Sequence, residues 1–136
     1  MRSHSTTFDL VRDCGLELPG TKETLYYRGR ALAVNGEVFA VQAGHSSAEA
    51  NSIGVAASFQ RREELISDNP DVFYVKPHYE NYPVVLVRLD QIDRDLLRAV
   101  LRSAHDAVAK GDVKMGRSRV ARRLSTRKKY IKRRRD

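Results

Sequence analysis

The side chains best suited to bind a partner are the basic residues at the C-terminal end of the chain. Residues 110–136 contain 13 Lys or Arg and two acidic residues, a net charge of +11, whereas residues 1–109 contain 12 basic and 15 acidic residues, a net charge of −3. Clustered cations repel one another and cannot form a core, but a phosphate backbone neutralises them and releases its own counterions on binding. The charge separation predicts a basic tail, residues 111–136, that is disordered when free or helical on binding nucleic acid.

DNA is favoured over RNA as the partner, and the cations expected to contact phosphate are Arg117, Arg119, Arg122, Arg123, Arg127, Lys128, Lys129, Lys132, Arg133, Arg134 and Arg135. Two other interpretations stay open. An anionic membrane or an acidic protein would also attract such a tail, and a solvated tail would only aid solubility. Membrane binding ranks low because the tail lacks the bulky apolar face of an interfacial helix.

A second group of side chains suited to recognition lies between two predicted strands, in the segment KPHYENYP. Lys76, His78 and Tyr79 are expected to add selectivity, because exposed rings stack on bases and a Lys contacts the phosphate backbone. The alternative is a well-packed connection between strands, in which the Tyr rings cover the edge of the core.

No residues have the spacing of a catalytic or metal site. The sequence has no phosphate-binding loop, dinucleotide fingerprint or nucleophile elbow, and its four histidines are scattered, at His4, His45, His78 and His105. Cys14 falls on the apolar stripe of the first predicted helix, so it is expected to be a buried structural thiol. The sequence therefore predicts a protein that is not an enzyme and uses no cofactor or metal.

Cysteine content and hydropathy indicate a cytoplasmic setting. The chain has one Cys and so cannot form an internal disulfide, and no apolar run approaches the roughly 20 residues needed to span a bilayer. The N-terminal residues lack an apolar signal core, so no export signal is expected.

The clearest local signal is the dipeptide Asn35-Gly36, which lies between two apolar segments. Both central residues of a type I′ hairpin turn need positive φ, and Asn and Gly adopt it readily. A two-residue loop would pair Leu32 with Phe39 and place Val41 on the same face of the sheet.

Helix signals occur at three places along the chain. Thr6 and Asp9 resemble a capping box at the start of a helix that reaches about residue 14. Ser58 is expected to cap a second, short helix. The strongest pattern begins at Asp93 as N-cap, repeats an apolar residue at every fourth position, and ends at Gly111.

These signals give the element order α-β-β-β-β-α-β-β-α. The strand over residues 84–89 is apolar nearly throughout, so it is expected inside the sheet. Short hairpins favour antiparallel pairing, and each helix has one apolar stripe to bury. The fold class predicted for residues 1–110 is therefore α+β, with two layers: an antiparallel sheet and helices on one of its faces.

Three segments carry a resemblance to a known family. The first two are Leu18-Pro19-Gly20 followed by an aromatic strand, and the hairpin sequence Gly-x-x-Phe at positions 36–39. The most specific lies within residues 71–89 and reads Phe-Tyr-x-x-Pro-His-Tyr-x-x-Tyr-Pro, formed by Phe73, Tyr74, Pro77, His78, Tyr79, Tyr82 and Pro83. Together they resemble the YjbR/MmcQ family over roughly residues 6–110.

That resemblance implies a compact antiparallel α+β fold similar to CyaY or to secretion chaperones. Family members are commonly described as DNA-binding proteins, and no enzymatic reaction comes with the resemblance. Two functions therefore stay open: a non-enzymatic DNA-binding protein whose tail contacts phosphates, and a protein-interaction adaptor in which the tail is accessory.

Overall fold

A computed structural model describes residues 7–27, 29–44 and 48–116. The order of elements predicted from the sequence is confirmed. Within the described residues the helices and strands are α1 Phe8–Gly15, β1 Thr21–Tyr26, β2 Gly29–Val34, β3 Glu37–Gln42, β4 Ser52–Ala56, α2 Phe59–Asp68, β5 Phe73–Tyr74, β6 Val84–Arg88 and α3 Arg94–Ala109, with a 3-10 turn at Pro77–Tyr79.

The strands form one antiparallel sheet in the order β1-β2-β3-β4-β6-β5. The predicted interior position of β6 is confirmed, since it pairs with β4 on one side and β5 on the other. Helices α1 and α3 pack on one face through residues such as Val11, Leu97 and Leu101, none of which is exposed. The predicted two-layer α+β fold is confirmed.

The hairpin of β2 and β3 has the predicted turn but a different register. Asn35 and Gly36 both have positive φ, 55° and 79°. A β-bulge then shifts the pairing, so Leu32 lies opposite Ala40 and the predicted pairing with Phe39 is wrong. Because the bulge adds one residue to β3, the alternation of side chains reverses after it.

That reversal determines which residues form the face of the sheet opposite α1 and α3, here called the far face. Ala31, Ala33 and Val38 are buried there, and Val41 packs against them rather than on the helix side where it was predicted. Ala40 instead packs in the main core, on the helix side of the sheet. The far face is therefore apolar too, although no helix among the described residues packs on this cluster.

The helix ends follow the sequence signals with one exception. The Ser58 and Asp93 side chains accept hydrogen bonds from the backbone N–H groups of the third residue beyond each, as predicted for N-caps. The N-cap of α1 is Thr7, so the capping box predicted at Thr6 is wrong. The Asp9 carboxylate instead accepts from Arg30, at 2.9 Å.

The chain continues to pack after α3. Gly111 has φ of +81° and turns the backbone, and Val113 is buried in the main core. Met115 contacts both the main core and the far-face cluster, and the Gly116 carbonyl accepts a hydrogen bond from the Val38 N–H at 2.8 Å. Residues 113–116, which follow the domain boundary predicted after residue 110, thus lead from the helix side of the sheet to the far face.

None of the helices within the described ranges combines the length and the apolar character that a membrane crossing requires.

Candidate functional site

A cavity of about 870 Å³ lies over the far face and one end of the sheet. Strand ends from β1 to β4 supply its backbone walls, and Met115 closes one side. None of the described residues that line it is Asp, Glu, Lys or Arg. We call it the tyrosine cavity after its rings, which are contributed by Phe8, Tyr26, Tyr27, His78, Tyr79 and Tyr82.

Gly54 of β4 is one of the residues that line the floor of the tyrosine cavity. A Cβ placed on Gly54 would lie 3.0 Å from the Val84 side chain and 3.6 Å from that of Val41. The distance to Val41 is an ordinary van der Waals contact, but the distance to Val84 is tight, so a larger residue at position 54 would require the Val84 side chain to shift by a few tenths of an ångström. Gly54 therefore leaves this part of the floor without a side chain of its own, between the apolar side chains of Val41 and Val84.

One wall of the tyrosine cavity is the turn between β1 and β2. The Tyr26 and Tyr27 rings meet edge to face, with centroids 4.7 Å apart. Tyr27 has φ of 55°, a left-handed conformation that costs an aromatic residue of the order of 1 kcal/mol or more. Its side chain is nonetheless 62% exposed. Local strain that presents an aromatic ring to solvent is typical of functional sites.

A second wall of the tyrosine cavity is the segment between β5 and β6, which contains two of the residues predicted for recognition. The rings of His78 and Tyr79 contact each other edge to face at 4.9 Å, and both line the cavity. Tyr82 lines it too, with 58% of its surface exposed. The predicted grouping of His78 and Tyr79 is therefore observed at a cavity wall.

A buried guanidinium holds this second wall in place. Arg62 of α2 is 6% exposed, and it donates hydrogen bonds to the carbonyl oxygens of Glu80, Tyr82 and Val84 at 3.1, 3.0 and 3.4 Å. Its Nε is buried without a hydrogen-bond partner among the described residues. Because carbonyls carry only partial charge, they compensate a buried cation less fully than a carboxylate does. Arg62 thus anchors the aromatic segment to α2.

Lys76 is the third residue of the segment between β5 and β6 that was predicted for recognition. Its ammonium lies 5.8 Å from the centre of the Tyr74 ring, and Lys76 is not among the residues lining the tyrosine cavity. The Arg88 guanidinium packs on the same ring at 4.3 Å and binds Glu49 with two bonds of 2.8 Å. The Arg88 guanidinium also holds the pKa of Glu49 below its ordinary range.

Two residues with reactive side chains, Cys14 and His105, are buried in the described domain. Cys14 is buried as predicted, and burial raises the pKa of its thiol. His105 is also buried; its Nε2–H donates to the Pro19 carbonyl at 2.7 Å, and its ring packs on Phe39. Across the described ranges, no group of three His, Cys, Asp or Glu residues lies close enough to hold a metal.

The tail cations predicted to contact phosphate, from Arg117 through Arg135, lie outside the described residues, as do His4 and His45. The structure does locate the point from which the tail continues. Gly116 packs so closely on the Tyr26 ring that a Cβ there would overlap its hydroxyl. Gly116, the last described residue of the chain, therefore lies beside the Tyr26 ring at the rim of the tyrosine cavity.

Sequence reasoning missed three parts of this site: the Tyr26-Tyr27 wall, the Gly54 floor and the Arg62 anchor. The Tyr pair had a local signal, since two aromatics directly before a short turn place at least one ring near the surface. Arg62 had no local signal. Its neighbour Arg61 is also an arginine but is exposed, so residue type alone does not show which of the two is buried.

These features define a two-layer α+β domain with a six-stranded antiparallel sheet and an aromatic cavity over the far face and one end of that sheet. A family model described as YjbR matches residues 16–107. The match covers more than half of the chain, so this chain belongs to the YjbR family, and the predicted resemblance is confirmed.

The similar proteins support the fold, but their names give no activity. Uncharacterized proteins from two strains of Mycobacterium tuberculosis and from Mycobacterium bovis are each 40% identical over 57 residues. That match spans 40% of this chain and 44% of each relative, less than half of their length. The crystal structure of Deinococcus radiodurans protein DR2400, a DUF419 domain, matches with a TM-score of 0.59 and 22% identity, over 76% of this chain and 79% of that one.

Proposed function

We propose that this protein is a non-enzymatic, cytoplasmic DNA-binding protein whose basic tail contacts phosphates without reading sequence. The observation that carries the proposal is the charge separation: +11 in residues 110–136 against −3 in residues 1–109. A folded part with this net charge repels a polyanion, so the affinity must come from the tail.

The ion pairs of the folded part support this division of roles. Arg30 binds Asp9 and Glu23, Arg88 binds Glu49, and other arginines pair with neighbouring carboxylates in the same way. Cations already bound to carboxylates are less available to phosphate. We therefore assign most of the affinity for a polyanion to the basic residues that follow Gly116.

Binding to a fluorescent DNA duplex tests the proposal, with the full chain compared with a chain ending at Gly116. That end point keeps Val113 and Met115 in their packed positions. If about six tail cations contact phosphates, the full chain loses roughly 10³-fold in affinity between 50 and 200 mM salt. The shortened chain is expected to bind at least 100-fold more weakly at low salt. Equal binding by both chains would refute the role of the tail.

A protein-interaction adaptor is the second candidate, and the tyrosine cavity is the observation that favours it. Aromatic walls and an apolar floor also accept an apolar side chain of a protein partner. A partner that stays bound in stoichiometric amount after nuclease treatment would support the adaptor function. Loss of the partner with nuclease would support DNA binding.

A further inference from the structure

We infer that the tyrosine cavity binds unpaired nucleobases, so that the preferred ligand is single-stranded nucleic acid. The inference rests on the proposed function, because the tail is needed to bring the strand to the protein. It goes further by assigning a second site, on the folded domain, and by naming the form of the ligand.

The chemistry of the cavity fits a base and does not fit a phosphate. No described Lys or Arg lines it, so a phosphate inside would be desolvated without a cation. Its rings and its glycine floor instead offer flat apolar surfaces, and base–aromatic stacking tolerates every base because each has a π face. Gln42 also lines the cavity and is exposed, and its side-chain amide supplies hydrogen-bonding groups for base edges.

The size of the cavity agrees with this assignment. A volume of about 870 Å³ is near the upper end of the roughly 300–1,000 Å³ found for small-molecule sites. Rings stand on two separate walls, Tyr26 and Tyr27 on one and His78, Tyr79 and Tyr82 on the other. More than one base can therefore stack at the same time.

The surroundings of the cavity allow the phosphates to stay outside while the bases enter. Lys114 is exposed next to Met115, and the tail continues from Gly116 at the Tyr26 ring. On the side of α1, Arg30 neutralises Asp9 and Glu23 at 2.9 and 3.0 Å. Basic residues therefore begin next to the cavity rim, at Lys114, and continue along the sequence beyond Gly116.

The need for unpaired bases follows from geometry. In a duplex the bases are stacked inside and present only their edges, so their faces cannot reach the rings without flipping out. In a single strand the faces are already accessible. The cavity should therefore add affinity for a strand and none for a duplex, whereas the tail binds both.

The test uses the full chain and a double variant, Tyr27→Asn with Tyr82→Ala. Both side chains are largely exposed, and Asn adopts the left-handed conformation of position 27 more readily than Tyr, so the fold should be kept. Leu16→Ala is the matched control, because Leu16 is an exposed apolar residue, 46% accessible, that does not line the cavity. Thermal unfolding of each variant checks the fold.

Fluorescence anisotropy at fixed salt is measured with three probes: a 12-nucleotide strand, its 12-base-pair duplex, and an abasic strand with the same number of phosphates. The double variant is expected to lose roughly tenfold per ring on the strand and less than twofold on the duplex. The abasic strand should bind the unchanged protein at least as weakly as the normal strand binds the double variant, because the variant keeps the other rings of the cavity.

Each outcome separates the two proposals. Equal binding of normal and abasic strands, or equal losses on strand and duplex, would overturn the base site and leave tail binding intact. An unchanged affinity of the double variant for the strand would do the same. Failure of every probe to bind the unchanged protein at low salt would refute the proposed function itself.

Discussion

Replacement of Arg62 by Met should destabilise the protein by about 2 kcal/mol. Two short hydrogen bonds from a charged donor, at 3.0 and 3.1 Å, contribute about 1.5–3 kcal/mol each. Part of that is offset, because Met needs no desolvation of a buried charge. The Tyr82 carbonyl also keeps its bond from the Val84 N–H, and Glu80 is exposed to water. The two bonds together contribute roughly 3–6 kcal/mol, and these offsets reduce the expected loss to about 2 kcal/mol.

The assay for Arg62→Met is urea unfolding followed by circular dichroism, with Arg61→Met as the matched control. Arg61 is the neighbouring residue but is exposed, with one ion pair to Glu64 at 3.4 Å, so its loss should cost under about 0.5 kcal/mol. A fall of 2 kcal/mol corresponds to a melting temperature lower by roughly 5–10 °C. Equal stability of the two variants would refute the argument that the carbonyl contacts hold the aromatic segment.

Three further predictions concern single groups. Cys14 should react with a thiol reagent at least 100-fold more slowly in the native protein than in urea, because it is buried and its pKa is raised; fast native labelling would contradict its burial. Because Arg88 lowers the pKa of Glu49, the stability that this pair supplies is present above about pH 4.3 and disappears as the pH falls through the lowered value. Unfolding curves of Glu49→Gln and the unchanged protein should thus converge at low pH, and a constant gap would count against the ion pair. Asp93→Ala should cost about 1 kcal/mol in urea unfolding by removing the N-cap of α3, and no loss would mean that the cap is dispensable.

The sequence predicted the features that depend on neighbouring residues. The Asn35-Gly36 turn and the N-cap of α3 at Asp93 need only a few adjacent side chains, and both are found where expected. The fold class followed from hairpin signals and single apolar stripes. These are local causes, so a single sequence contains them.

The features that were missed depend on residues far apart in the chain. The bulge near Phe39 has no local marker, and it moved Val41 to the far face. The tyrosine cavity unites Tyr27 with Tyr82, which are separated by four strands and a helix. Such a site exists only once the sheet order is known, and no pattern within one segment indicates it.

The salt dependence of DNA binding by the full chain tests the central claim most directly. The claim is that tail cations replace counterions on phosphates, and the slope of log K against log salt counts those contacts at about −0.9 each. A slope near −5 is expected for the unchanged protein if about six cations engage. Triple replacement of Arg133, Arg134 and Arg135 by Gln should make the slope shallower by up to about 3 units. An identical slope in the two proteins would contradict the account.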